Sequence, residues 1–210
     1  MSNETPVEGS APTPASTAAA SAGFGDPAPL GLAGFALTTL LLSFINAHII
    51  KEDGATIVVL GLAAFYGGLA QFAAGLFEFR RGNTFGATAF GSFGAFWLSY
   101  WWIVTHLSAA SGDVHVALGS FLLFWGIFTA YMTVAAIKVN YAVFAVFVLL
   151  TLTFVFLAIG SFQNGVPSPD AMTKVGGWFG IVTGVVAWYA SAAGVINATH
   201  KRVIVPTGPR

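Results

Sequence analysis

The stretch Asp26-Pro27-Ala28-Pro29-Leu30-Gly31-Leu32 opens the first of six long apolar segments and decides where the fold begins. Each proline lacks a backbone N–H and its ring clashes with the preceding turn, so two prolines this close together are excluded from a helix interior. Both are tolerated in a first turn, where the Asp26 carboxylate can accept hydrogen bonds from free amides. We therefore predict a helix start at a membrane, with Asp26 as its N-cap.

The composition indicates a membrane protein. Of the 210 residues, 56% are hydrophobic and 8% are charged, whereas about a quarter of the residues of a soluble domain are charged. The zero net charge gives no footprint for nucleic acid, and the absence of cysteine excludes disulfides and thiolate chemistry. Residues 1–25 carry two charges, Glu4 and Glu8, among Ala, Ser, Thr and Pro, and are predicted to be a disordered tail.

Charged and turn-forming residues divide the rest of the chain into six apolar segments. A helix that crosses a bilayer needs about 20 apolar residues, and the segments cover 30–50, 55–79, 84–107, 114–137, 141–162 and 175–198. The sequence therefore predicts an all-α, polytopic membrane protein, with a six-helix transmembrane domain over residues 26–200 and a short basic tail over 201–210. The short loops leave no room for a separate soluble domain.

Basic residues and glycines predict the orientation and the packing. Six of the eight Lys and Arg residues lie in the second and fourth loops and the C-terminus, on the same side of the membrane as the N-terminal tail, which predicts that both termini are cytoplasmic in the plasma membrane. Glycines recur every four residues in the sixth segment and every seven in the second. We predict that these two stripes are helix contact faces, and their members are Gly176, Gly180 and Gly184, and Gly61, Gly68 and Gly75.

Polar residues inside the segments are candidate functional groups, because they are costly at membrane depth. Most Ser and Thr hydroxyls can bond the carbonyl four residues earlier in the same helix. Gln71 either faces a pore or bonds a neighbouring helix, and the sequence leaves both open. Glu78, beside Arg80 and Arg81, is predicted to be a salt-bridged interfacial group, with a gating or proton-relay role as the alternative.

The sequence gives no sign of an enzyme. The four histidines are scattered, His48 and Glu52 lack a third metal ligand nearby, and no nucleophile stands with a plausible base. We therefore expect no catalytic residue, no metal and no cofactor.

The opening stretch resembles the Asn-Pro-Ala-Pro-Leu-Gly-Leu signature of the acetate uptake transporters, with Asp26 in place of the asparagine. Further stretches similar to that family follow in the same order, at 65–71, 82–86, 93–97, 125–129 and 157–160. On these motifs the chain is identified as a member of that family.

The resemblance implies a fold and a set of site residues. Family members are six-helix protomers assembled as homohexamers, and each protomer has a pore for acetate and, in some members, succinate. The narrow constriction of the pore corresponds to Phe35, Phe93 and Leu150, with Phe93 in place of a tyrosine. The entrance corresponds to Asp26, Pro27, Pro29, Leu30 and Gly31. Substrate is expected to meet Thr38, Thr39, Asn46, Gln71, Asn83 and Thr84.

Two departures from the family pattern have physical consequences. Phe93 lacks the tyrosine hydroxyl, so the constriction should be drier. Asp26 adds a negative charge near the mouth, which weakens the attraction of anions unless Asp26 is protonated or paired.

The sequence leaves the mode of transport and two rival functions open. Because no buried carboxylate or histidine chain is evident, a channel or the passage of neutral acid is favoured over proton coupling. The rivals are a transporter of ammonium or another small solute, and a membrane scaffold or sensor that transports nothing.

Overall fold

The computed structural model describes residues 25–51, 54–107, 113–163 and 171–208, and these ranges contain six helices that follow the six predicted segments. The predicted disordered tail, apart from its last residue, and the proline-containing loop before the last helix lie outside the described residues. The helices are α1 Ala28–Asn46, α2 Thr56–Arg80, α3 Thr84–His106, α4 Val114–Ala136, α5 Tyr141–Phe162 and α6 Ala171–His200.

Five of these helices are long and apolar enough to cross a membrane by length and hydropathy. The exception is α3, in which Gly, Ser, Trp and Tyr replace many of the aliphatic residues. Its length of 23 residues still suits a bilayer core. The architecture is therefore that of a multi-pass, all-helical membrane protein, as the sequence predicts.

The middle of α2 is a π-helix over Phe65–Ala70, which the sequence analysis did not predict. Its glycines allow close packing, because a Cβ atom on Gly67 would lie 2.6 Å from Thr38 Oγ1 of α1 and 2.9 Å from Trp97 Cδ1 of α3. A π-turn inserts an extra residue and so changes the face on which the following side chains lie. Gln71 is the first residue after it.

Glycines bring several helices into close contact. In α6, a Cβ atom on Gly184 would lie 3.1 Å from the Ala36 carbonyl oxygen of α1, and one on Gly176 would lie 2.9 Å from Leu157 of α5. The predicted stripe on α6 is thus a contact face. The stripe on α2 is only partly so: Gly68 and Gly75 pack against α3, whereas a Cβ atom on Gly61 would meet no atom of the described chain within 4 Å.

Large aromatic side chains, in contrast, fill the space between α3, α4 and α5. Phe93 of α3 is at the centre of this core, and its ring centroid lies 5.5–6.4 Å from those of its neighbours, which are Phe35, Trp125, Phe128, Phe147 and Phe154. Such rings hold the backbones of α3 and α4 apart. The Cα atoms of these two helices come close to each other at far fewer positions than those of α1 and α6.

Candidate functional site

A cavity of about 400 Å³ enters the helix bundle among the first turns of α1, α3 and α5 and the last turns of α6. At its mouth it is lined by polar side chains, which are Asp26, Arg81, Asn83, Asn140, Asn197 and Thr207. Deeper in the bundle the lining includes Phe35, Gln71, Phe93 and Leu150. With a rise of 1.5 Å per residue, these groups lie roughly 10–14 Å along their helices from the mouth.

Three helix N-termini meet at this mouth, and a side-chain oxygen occupies a free amide at each. Asp26 Oδ1 accepts from Ala28 N at 3.1 Å, Asn83 Oδ1 from Gly86 N at 3.1 Å, and Asn140 Oδ1 from Val143 N at 2.8 Å. Because the N-terminal end of a helix carries partial positive charge, three such ends create an environment that favours an anion.

The start of α1 differs from the prediction by one position. Pro27, not Asp26, is the N-cap, and Asp26 lies just before it. Pro29 is in the first turn, where a missing N–H has no cost, and Leu30 and Gly31 follow it. Gly31 is required by packing, because a Cβ atom there would lie 2.6 Å from the Phe90 ring.

The Asp26 carboxylate is paired with the Arg81 guanidinium, which comes from the end of α2. The two side chains are 47% and 32% exposed, so water screens the pair. Ion pairs of this kind typically contribute about 1 kcal/mol or less to stability. The added charge of Asp26 is thus neutralised within the protein.

Glu78 is fully buried in the last turn of α2. Its Oε2 accepts a hydrogen bond from Asn83 Nδ2 at 2.9 Å, while Oε1 has no partner among the described residues. The start of α3 covers it closely, since a Cβ atom on Gly86 would lie 2.9 Å from Glu78 Cδ. The described residues thus include one buried carboxylate, although a single group is not the relay chain that the sequence was expected to lack.

The predicted constriction residues lie together inside the bundle. Phe35, Phe93 and Leu150 are buried and line the cavity, and the rings of Phe35 and Phe93 meet edge-on with centroids 5.7 Å apart. Gln71 lines the same cavity with 1% of its surface exposed, and its Oε1 has no partner among the described residues. Gln71 therefore lies at the cavity, and its contact with substrate stays a prediction.

Four other predicted substrate contacts are not part of this cavity. Thr38 donates to the Gly34 carbonyl at 2.8 Å, which satisfies its hydroxyl within α1, and Thr39 is buried without a partner in the described chain. Asn46 is the last residue of α1, at the opposite end of the bundle. Thr84 is exposed at the start of α3. Asn83, in contrast, lines the cavity.

The C-terminal segment, residues 203–208, folds back under the mouth, although the sequence suggested only a short basic tail. Asn197 of α6 holds it: its Nδ2 donates to the Val205 carbonyl at 2.8 Å, and its Oδ1 accepts from Ile204 N at 2.7 Å and Val205 N at 2.9 Å. The backbone amide of Tyr141 donates to the Gly208 carbonyl at 3.0 Å. This segment brings Thr207 to the cavity.

Replacing Asn197 with alanine should release this C-terminal segment, because three hydrogen bonds are lost together. We expect faster removal of the C-terminal residues by carboxypeptidase, with the six helices intact by circular dichroism. An Asn197→Asp variant keeps the two acceptor bonds and should lie between the wild type and the alanine variant. Equal digestion of all three proteins would show that Asn197 does not hold the segment.

Four of the lining residues were not predicted from the sequence, namely Arg81, Asn140, Asn197 and Thr207. A signal existed for Asn140, since an asparagine just before an apolar run is a favoured helix N-cap. No local pattern indicates that residues 203–208 return to the bundle.

The family model described as the GPR1/FUN34/yaaH family matches residues 9–209. The chain belongs to this family. The resemblance inferred from the sequence motifs is thereby confirmed. Relatives in this family are similar in sequence to this chain along most of its length. A protein of Escherichia coli, the succinate-acetate/proton symporter SatP, is 39% identical over 185 residues, which cover 87% of this chain and 95% of that one.

Another GPR1/FUN34/yaaH relative is longer. The ammonia transport outward protein 2 of Saccharomyces cerevisiae is 42% identical over 191 residues, which are 87% of this chain but only 65% of the yeast protein. Among solved structures, that of the bacterial acetate channel SatP matches with a TM-score of 0.79 and 37% identity, covering 88% of this chain and 99% of the other. The six-helix fold of this chain is therefore shared with that channel.

Proposed function

We propose that this protein is a membrane channel or transporter for acetate and related short-chain carboxylates, succinate included. The observation that carries the proposal is the cavity, which begins at three helix N-termini and ends at an apolar neck beside one buried amide. Relatives named for acetate and succinate transport support the same substrate class. The protein has no catalytic role in this proposal.

The first step is attraction of the carboxylate to the mouth. The positive ends of α1, α3 and α5 favour negative charge there, and the amide side chains of Asn83 and Asn140 can donate hydrogen bonds that replace those of water. A small carboxylate can thus lose part of its hydration shell while its negative charge still interacts with these helix ends and amide groups.

The second step is passage through the neck formed by Phe35, Phe93 and Leu150. An apolar constriction tends to lose its water, so it excludes a fully hydrated ion. The methyl group of acetate can contact these side chains while the head group meets Gln71. A glutamine amide can donate to a carboxylate and accept from a protonated carboxyl group, so this site suits acetate and acetic acid alike.

We further propose that the protomers assemble as a homohexamer in the plasma membrane, with both termini cytoplasmic. The distribution of Lys and Arg supports this orientation. Large apolar side chains are exposed along the outer faces of the helices, for example Ile57, Phe65 and Leu76 of α2, and these faces suit lipid and neighbouring subunits.

Uptake of labelled acetate into liposomes that contain the purified protein tests this function. Unlabelled propionate and succinate should compete, and ammonium should not. Competition by ammonium with no effect of the acids would favour the small-solute alternative, which the name of the yeast relative motivates. If neither acetate nor ammonium crosses the membrane, the remaining candidate is a membrane scaffold or sensor that transports nothing. A pH-sensitive dye in the lumen separates the modes, because acetate flux without proton movement excludes coupling.

Replacing Gln71 with leucine should reduce acetate flux about tenfold, because the neck loses a hydrogen-bonding group that offsets roughly 1.4 kcal/mol of desolvation. The control is Thr129→Val. Thr129 is equally buried, but its hydroxyl is satisfied by the Trp125 carbonyl of its own helix at 2.7 Å. We expect flux near that of the wild type for the control. Equal fluxes for the two variants would remove Gln71 from the pathway.

A further inference from the structure

The mouth of the cavity holds one basic and one acidic side chain among its described lining residues, and they bind each other. Arg81 projects from the end of α2, and Asp26 from the segment before α1. Fifty-five positions separate them in the chain. The cation that an entering carboxylate would meet is thus already bound to a carboxylate of the protein.

At the other two helix starts of the mouth, the side chain that accepts from a backbone amide is uncharged. Asn83 and Asn140 provide an amide oxygen to the first turns of α3 and α5, at 3.1 Å and 2.8 Å. Asp26 provides a carboxylate oxygen to Ala28 N, the first amide of α1, at 3.1 Å. An asparagine could make that same hydrogen bond, so the charge of Asp26 is not needed for the contact with Ala28 N.

Arginine is well suited to bind a substrate carboxylate. Its planar guanidinium presents donors in a fork that matches the two carboxylate oxygens. Asp26 offers the chemical group that the substrate also offers. Because both side chains are substantially exposed, water can replace either partner, and the pair can open without leaving a buried charge.

We propose that Arg81 is the carboxylate-recognition residue at the mouth, and that Asp26 sets its affinity by competing with the substrate for the guanidinium. This inference rests on the proposed function and adds to it a determinant of specificity. A dicarboxylate is affected more than a monocarboxylate, since the Coulomb energy with Asp26 and Arg81 scales with the charge of the ligand. Compared with an unpaired Arg81, the pair therefore favours acetate over succinate.

The test measures the KM of uptake for acetate and for succinate in liposomes at a pH at which both acids are ionised. Asp26→Asn should lower the KM by about 5-fold for acetate and about 25-fold for succinate. These values assume that each negative charge of the ligand gains the free energy of one exposed ion pair. Arg81→Gln should raise the KM by about 5-fold for acetate and about 25-fold for succinate, and Arg81→Lys should restore part of the affinity. The Asp26→Asn protein should also show a steeper loss of affinity with added salt.

Two variants outside the cavity control for net charge. Arg202→Gln removes a positive charge near the same end of the bundle, and Asp113→Asn removes a negative charge at the start of α4. Neither residue lines the cavity, and both variants should keep the KM ratio of the wild type. Thermal stabilisation of the purified proteins by acetate and by succinate gives a second readout that needs no flux.

The outcomes separate this inference from the proposed function. If the wild type shows no flux but the stabilising concentrations follow the predicted order of variants, carboxylate recognition stands and transport does not. If the wild type transports acetate but Asp26→Asn lowers only the melting temperature, the ion pair is a structural link and the inference is wrong. An unchanged succinate-to-acetate KM ratio in Arg81→Lys, Arg81→Gln and Asp26→Asn overturns it as well.

Discussion

Replacing Phe35 with alanine is expected to abolish size selection, raising the flux of butyrate relative to acetate by at least about tenfold, because a wider neck stays wet and passes larger anions. Phe35 faces Phe93 across the neck, and Leu150 completes it. Removing the ring leaves a gap that the surrounding side chains cannot fill. The measurement is the ratio of labelled butyrate to acetate uptake in liposomes.

The control for this variant is Phe124→Ala. Phe124 lies on α4 with 67% of its surface exposed, so the same change in side-chain volume occurs outside the cavity. A second variant, Phe35→Leu, keeps more of the buried volume and should give an intermediate ratio. If the alanine variant retains the selectivity of the wild type, the neck is not the selectivity filter.

Replacing Gly94 with alanine should cause a large loss of stability. Its Cβ atom would lie 2.6 Å from Phe72 N and 2.7 Å from Phe72 Cα of α2. Because these are backbone atoms, no change of rotamer relieves the clash and the two helices must separate. Overpacking of this kind typically costs about 1–3 kcal/mol. We expect a melting temperature several degrees lower in detergent and a lower yield of folded protein.

Gly91 provides a matched control on the same helix. A Cβ atom at that position meets nothing within 4 Å, and alanine is the better helix former. The Gly91→Ala protein should therefore be as stable as the wild type or slightly more stable. Equal melting temperatures for the Gly91→Ala and Gly94→Ala proteins would show that α2 and α3 are not held at the distance described.

Glycine spacing predicted the helix contact faces correctly in α6 but only in part in α2. Spacing predicted that α6 has a contact face, and Gly176 and Gly184 do pack against α5 and α1. The same argument applied to α2 fails at Gly61, which faces away from the described chain. The π-helix between Gly61 and Gly75 changes the register of the faces, and no periodicity of 3.6 residues carries past it.

The lining of the candidate site could be predicted from the sequence where the residue itself gave the signal. It could not be predicted where the role of a residue depends on its hydrogen-bond partner in the folded protein. Phe35, Phe93 and Leu150 were predicted from the family resemblance and Gln71 from its polarity at membrane depth, and all four line the cavity. For Glu78, the sequence shows Arg80 and Arg81 beside it but not the turn that brings Asn83 to its carboxylate. Thr38 was proposed as a contact, yet its hydroxyl is satisfied within its own helix.

By itself the sequence determined the class of protein, the six helices and the place where the first begins. These depend on local properties: apolar length, charge at the breaks, and the missing N–H groups of Pro27 and Pro29. Only the tertiary structure decided which polar groups meet at the cavity. The Asp26–Arg81 pair and the bonds from Asn197 to residues 204 and 205 depend on how helices and termini pack, and packing is set by contacts between segments rather than within them.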